Sequence, residues 1–257
     1  MPKHDLYIYG TCFNVSKTCK RTIESLLRLK NYFNIKFFIV DNYSKDGSAR
    51  ELKRVFVKYK LKYRLIQIHS NRGEGRQQAM EMALKEGKDT DYLMYIDLDI
   101  IYTKKFIEYV KKFVFERRYD VGLCALSLKK INQKISWKNL NAAEDMERFA
   151  HFKANGYKLD KNAIANSEVY IHDAKFNSLI NREKRYAQNL NFIVRMLRWL
   201  IDVQRGLAFK NFNYFYDFYG NGKKYRVPIF IITYIIANLL GVYKYSNEKS
   251  NFEYIIK

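Results

Sequence analysis

Acidic side chains are in short supply in this sequence: 26 Asp and Glu face 47 Lys and Arg, a formal net charge of +21 over 257 residues. That imbalance favours anionic partners, whether nucleic acid, an acidic membrane surface or phosphorylated substrates, without choosing among them. Cysteine is scarcer still. Cys12, Cys19 and Cys124 form no ligand-spaced cluster, and an odd count argues against a disulfide framework, so a reducing, cytoplasmic setting fits best. The N-terminus, Met1-Pro2-Lys3-His4-Asp5, lacks the long apolar region and small-residue cleavage site of a secretory signal, so export is not expected. Two phosphate-cradling signatures are also missing. No Gly-x-Gly-x-x-Gly follows the first strand pattern, and Gly-Lys-Ser/Thr never occurs. Any phosphate would therefore be held by a metal ion and by arginine.

What is present is a regular alternation of two periods. Leu6–Thr11, Phe37–Val40, Tyr63–His69, Tyr92–Ile96 and Val121–Leu126 read as strands. Between them, Thr18–Phe33, Ser48–Tyr59, Gly75–Glu86 and Thr103–Glu116 read as helices, with Thr103 placed as an N-cap. Strand–helix alternation predicts an α/β fold with a mostly parallel central sheet covered by helices on both faces. Lys129–Asn141 is polar and loop-like, and Ala142–Asn155 returns to a helical pattern that Gly156 stops. At this length the chain can bury one large core, or one domain with a smaller appendage.

The few acids are not scattered. Tyr92-Leu-Met-Tyr-Ile-Asp97-Leu-Asp99 ends an apolar run in two carboxylates spaced i, i+2, which a continuing strand would present on one face at its C-terminal end. Ligands of open α/β sheets bind at that end. Two like charges there repel and desolvate badly, and a hard divalent cation with oxygen ligands would relieve both costs. A plain strand-to-loop turn is the other reading of the same pair.

Several short segments, taken in order, carry a resemblance. They are Gly10-Thr-Cys-Phe-Asn14, Ile39-Val-Asp41-Asn-Tyr-Ser44-Lys-Asp46-Gly47-Ser48, Asn71-Arg72-Gly73-x-x-Arg76-Gln-x-Ala79, Tyr-Ile-Asp97-Leu-Asp99, and Glu144-Asp145-Met-Glu147 followed by Gly156-Tyr-Lys-Leu159. Together, over roughly residues 5–175, they resemble family 2 inverting glycosyltransferases of the GT-A fold. The resemblance implies a nucleotide-sugar donor, Mn²⁺ or Mg²⁺ as cofactor, and a glycan or lipid-linked acceptor. It implies that Thr11, Asn14, Asp41, Arg72, Arg76 and Asp97 contact the donor nucleotide, Asp97 through its ribose. Asp99 would bind the metal, and His172, at the end of Val169-Tyr-Ile-His172, would complete its site. Asp145 would take the proton of the acceptor hydroxyl with Glu144 as its acidic neighbour, a role that suits a carboxylate of raised pKa. The chain departs from the family at His151, where an arginine is usual. The glycine-rich acceptor loop expected before Glu144 is not recognisable either, though Trp137 offers a ring for stacking on a sugar. For several of these residues a plainer role competes: a turn cap for Asp41, a solvated basic face for Arg72 and Arg76, helix-end charges for Glu144 and Asp145.

Composition shifts near Asn181, so the expected division is a transferase domain over 1–180 and a basic, aromatic helical extension over 181–257. In Asn189–Phe212, apolar residues alternate with Arg195, Arg198, Arg205 and Lys210, the pattern of a helix lying on an anionic membrane. Pro228–Tyr243 is apolar for about 16 residues, short of the roughly 20 needed to cross a bilayer. A core helix, an interfacial or re-entrant segment and a homodimer contact all remain open for it. The expected location is the cytoplasm, with peripheral contact at the membrane through 189–243. Two alternatives compete with the transferase. A sugar-nucleotide nucleotidyltransferase would need a Gly-x-Gly-Thr-Arg loop that Gly10–Asn14 does not supply. A basic nucleic-acid-binding protein would leave Asp97, Asp99 and Asp145 without purpose, so no specific nucleic acid partner is expected.

Overall fold

The computed structural model describes residues 3–139, 144–160 and 170–172. Its centre is a five-stranded sheet in the order β3-β2-β1-β4-β6, built from β1 (His4–Cys12), β2 (Phe33–Asp41), β3 (Lys62–Gln67), β4 (Tyr92–Asp97) and β6 (Ser127–Leu128). The first four strands are parallel, and β6 runs antiparallel beside β4. A second, two-stranded sheet pairs β5 (Ile100–Tyr102) with β7 (Tyr170–His172). The helices are α1 (Cys19–Leu26), α2 (Ser48–Lys58), α3 (Arg72–Leu84), α4 (Lys104–Glu116), the short α5 (Lys129–Asn132) and α6 (Glu144–Ala154). The parallel α/β class expected from the alternation is the class observed.

Because β1 and β2 are apolar on both faces, each feeds two cores. Leu6, Ile8, Phe37, Ile39, Met94 and Ile96 pack with α1, α2 and α4 on one side. Tyr9, Phe38, Val40, Leu93 and Tyr95 pack on the other with Met80 and Ala83 of α3 and with Trp137 and Phe152. Gly10 is required where β1 meets β4, since a Cβ there would lie 2.6 Å from the Ile96 carbonyl oxygen. The chain runs outward from β1 through β2 to β3, then returns to place β4 on the other side of β1. That reversal is the switch point at which open sheets of this class leave a crevice beyond their strand ends.

Three elements differ from the sequence pattern. The helix expected over Thr18–Phe33 stops at Leu26 and tightens into a 3₁₀ turn over Leu27–Asn31, because Phe33 is claimed by the sheet, paired with His4. Val121–Leu126 is not a strand. Val121 makes single bridges, Leu123–Ala125 form a 3₁₀ turn with Cys124 and Ala125 left-handed, and the ladder is made by Ser127–Leu128 instead. The segment is buried either way, and a short buried apolar run does not reveal its own period. The polar Lys129–Asn141 segment opens with a helical turn whose Lys129 ammonium is buried, donating to the Glu86 and Gly87 carbonyls just beyond α3. Thr103 caps α4 as expected, its hydroxyl accepting from the Phe106 amide. The extension over 181–257 lies outside the described residues. Among those described, no helix is long and apolar enough to cross a membrane.

Candidate active site

A cavity of about 890 Å³ opens at the C-terminal ends of β1 and β4. Thr11, Asn14, Arg72, Asp97 and Asp99 all line it, so five of the expected donor and metal residues converge there. Register explains the first contact, because Thr11 is the β-ladder partner of Asp97. Asn14 takes a left-handed backbone, its amide N–H donating to Ser44 Oγ and its side-chain oxygen accepting from the Lys45 N–H. These bonds clip the loop after β1 to the loop after β2. Behind them, α3 begins with a complete capping box in which Asn71 and Glu74 each satisfy the other's backbone amide. Gly75, one turn in, lies so close to β1 that a Cβ would stand 2.5 Å from Thr11 Oγ1.

The two aspartates are presented differently from the expectation. Strand β4 ends at Asp97, and Leu98 and Asp99 form the turn into β5, so the pair does not sit on one continuing strand face. The turn is held by side chains rather than by the ladder. Tyr102 Oη accepts from the Asp97 N–H at 3.1 Å, and the hydroxyls of Thr18 and Thr22 both donate to the Leu98 carbonyl at 3.0 Å. His172 ends β7 directly opposite Ile100, one residue from Asp99. That is a backbone placement; the His172 side chain lies outside the described atoms.

Arg76 and Asp41 lie deeper than their expected roles require. Arg76 is 2 % exposed. Its guanidinium donates to Asp97 Oδ1 at 2.5 Å and forms an ion pair with Glu144 Oε1 at 2.8 Å, off the hydrogen-bonding axis. Tyr95 and Trp137, themselves in edge-to-face contact, pack against it with ring centres 4.6 and 4.9 Å away. Arg76 thus touches the acids of the site rather than the cavity. Asp41 is fully buried, accepting from Gln67 Nε2 at 2.7 Å, from Cys12 Sγ at 3.2 Å, and from the Ser44 amide and hydroxyl. It is a turn cap, and its neighbour Asn42 is the residue that reaches the cavity wall. Burial and the adjacent Asp41 carboxylate push the Cys12 thiol far up, so it stays protonated.

The acids of α6 approach from the opposite side of Arg76. Glu144 is 1 % exposed, paired through Oε1 with Arg76 and, at 3.6 Å, with the half-exposed Arg72, while its Oε2 has no hydrogen-bond partner among the described residues. Burial pushes its carboxyl above the usual range, against the lowering pull of Arg76 and Arg72. Asp145 follows it, partly buried, its charge adding to the raising influences on Glu144. Trp137 corrects the expectation of a sugar platform: it is 4 % exposed, the guanidinia of Arg76 and Arg148 lie 4.9 and 4.6 Å from its ring centre, and its N–H donates to Tyr9 Oη at 3.1 Å. A ring buried to this degree has no open face to offer a sugar.

Sequence reasoning missed Arg148. It lies one helical turn after Glu144, hence on the same side of α6, and is fully buried. It donates to Asn132 Oδ1 at 2.7 Å, to the Ile135 carbonyl at 3.0 Å and to Tyr9 Oη. The i, i+4 spacing from Glu144 was the available signal. Where the family pattern expects arginine, His151 is partly buried, and burial, with Lys138 second, pulls its ring pKa down to about 4.

Comparison with known proteins agrees with this architecture. Among solved structures, S. aureus TarS 1-349 superposes with a TM-score of 0.54 at 14 % identity, over 91 % of this chain and 80 % of that one. Its complex with UDP-GlcNAc gives 0.54 at 13 %, over 91 % and 81 %. Glucosyl-3-phosphoglycerate synthase from Mycobacterium tuberculosis, in complex with phosphoglyceric acid, gives 0.50 at 13 %, over 76 % and 79 %. At such identities the likeness speaks for the fold alone. No curated protein sequence matches. The sequence model described as "Glycosyl transferase family 2" matches residues 8–185, more than half of the chain, and the protein belongs to that family of glycosyltransferases.

Proposed function

We propose that the protein moves a sugar from a nucleoside diphosphate donor to an acceptor hydroxyl or phosphate with inversion at the anomeric carbon, assisted by Mn²⁺ or Mg²⁺. The observation that carries the reading is the convergence of Thr11, Asn14, Arg72, Asp97 and Asp99 on one cavity, with Glu144 and Asp145 opening a helix beside it. TarS and glucosyl-3-phosphoglycerate synthase, which share the fold, are described in complexes with UDP-GlcNAc and with phosphoglyceric acid respectively. The first is consistent with a nucleotide-sugar donor here, and the acceptor stays open between a glycan and a lipid-linked group.

In this reading Thr11 and Asn14 bound the nucleoside end, Asp97 accepts from the ribose, and the half-exposed Arg72 approaches the diphosphate, where a guanidinium fork suits phosphate oxygens. The donor set fits a divalent metal: Asp99 lies in the cavity wall, His172 ends the strand beside it, and Mg²⁺ or Mn²⁺ bound with substrate phosphates needs only one or two protein carboxylates. Such an ion, held there by Asp99 and His172, would supply charge neutralisation for a diphosphate leaving group. Asp145 takes the proton from the acceptor oxygen as that oxygen bonds to the anomeric carbon. The bond from that carbon to the diphosphate oxygen breaks on the opposite face, and the diphosphate leaves with the electron pair. Glu144, held by Arg76, precedes Asp145 at the start of α6.

A panel of nucleotide sugars with Mn²⁺ or Mg²⁺, read by thermal shift and by slow donor hydrolysis, tests the reading. Asp99→Ala is expected to abolish metal-dependent donor binding. Asp145→Ala is expected to keep binding and lose about 10²–10⁴-fold in transfer, the range for a general base. Unchanged turnover in Asp145→Ala would remove it as the base. We assign residues 1–180 to the transferase domain. Residues 181–257 are read as a second unit whose basic, apolar stretch over 189–243 rests on an anionic membrane surface, a reading that vesicle flotation tests.

A further inference from the structure

Arg76 pairs with an acid of the cavity wall and an acid of α6 at once. It meets Asp97, whose side chain is 37 % exposed, and Glu144, which is buried. Its head is buried and packs against the edge-to-face pair of Tyr95 and Trp137, whose ring centres lie 4.6 and 4.9 Å from it, so it cannot follow either acid freely. Trp137 is backed in turn by Arg148, which anchors the same helix that carries Glu144 and Asp145. We propose that Arg76 is a positioning residue coupling the donor cavity to the start of α6 by holding Asp97 and Glu144 together; the proposal rests on the transferase reading.

The physical reason is the shared cation. A guanidinium offers a rigid fork with donors for two carboxylates, whereas a lysine ammonium is one point charge at the end of a flexible stem. A donor that draws Asp97 into the cavity changes how much of Arg76 is left to Glu144. The neighbouring Asp145 shares the backbone turn on which Glu144 sits. Coupling between two sites is a free energy that acts equally in both directions, so neutralising Glu144 must alter donor binding although Glu144 is not part of the cavity wall.

A double-mutant cycle on the full chain tests this without any ligand. Asp97→Asn and Glu144→Gln each leave Arg76 one directly paired acid, so each alone is expected to lower Tm little. Together they strand a buried guanidinium, and the loss is expected to exceed the sum of the singles by ~2 °C or more. Repeated in an Arg76→Met background, the two changes should add. Additive losses with Arg76 present overturn the proposal. The functional arm uses whichever nucleotide sugar the wild type hydrolyses. Glu144→Gln should shift the donor KM several-fold with Arg76 in place and not in Arg76→Met, and Arg76→Lys should fail to restore the wild-type KM. A KM shift that persists in Arg76→Met runs through Arg72 and also overturns the proposal. Absence of turnover in the wild type would defeat the transferase reading while the thermal cycle still decides the coupling.

Discussion

Gly75→Ala is the sharpest test of how α3 and β1 shape the donor cavity. Gly75 lies in the first turns of α3, where alanine would be the better helix former by about 1 kcal/mol. The added Cβ would stand 2.5 Å from Thr11 Oγ1, and 3.0 Å from both Thr11 Cβ and Ser70 Oγ. Thr11 cannot simply swing aside, because a β-branched side chain has few χ1 choices and its backbone is laddered on both sides, to Val40 and to Asp97. Overpacking of this kind costs about 1–3 kcal/mol. Set against the propensity gain, the net effect is a destabilisation of up to about 2 kcal/mol, with Tm falling ~2–4 °C for each kcal/mol in a chain of this size. The same displacement moves the cavity wall at Thr11 and Ser70, so binding of UDP or GDP should weaken alongside. Calorimetry and nucleotide titration measure the two effects. Thr11→Ala removes Oγ1 and should recover most of the Tm lost to Gly75→Ala, a coupling that independent sites would not show. An alanine variant at position 75 as stable as the wild type, with unchanged nucleotide affinity, would refute the close packing of α3 on β1.

Two further outcomes follow from charge. His151 is held neutral by burial, its pKa lowered from 6.5 to about 4, so it stabilises the fold fully above pH ~6.5, and that contribution is lost as pH falls through about 4. Urea midpoints should therefore drop across that window more steeply for the wild type than for His151→Gln, and equal slopes would sink the assignment. Flotation of the full chain with vesicles rich in anionic lipid, lost with neutral vesicles and weakened at high salt, is the expected behaviour of residues 189–243. Equal recovery with both kinds of vesicle would dismiss the electrostatic part of that reading.

Much of the fold was legible because its signals are local. Alternating apolar periods located β1 to β4 and α2 to α4, and the Thr103 cap was readable from one residue type in one place. The lapses fell where tertiary pairing overrode local pattern. The sheet's claim on Phe33 ended α1 early, and the buried run after Val121 folded into a tight left-handed turn instead of a strand. Thr11, Asn14, Arg72, Asp97 and Asp99 line one cavity because each lies at or just beyond the end of a predicted strand, and a parallel sheet gathers those ends at one edge. Arg76, Asp41 and Trp137 are buried and do not line that cavity, whereas the expected roles called for outward-facing side chains. Nothing in a one-dimensional pattern distinguishes an arginine that reaches a ligand from one that reaches two acids.

By itself, then, the sequence determined the α/β class, the family and the edge of the sheet where the cavity opens, since period, motif order and strand-end position are properties of contiguous residues. Only the tertiary structure decided how the acids are shared. Arg76 meets Asp97 from 21 positions away, and Arg148 reaches Tyr9 across 139. Such contacts exist only once β1, α3, β4 and α6 have packed, and burial then makes each unpaired charge costly enough to select one arrangement.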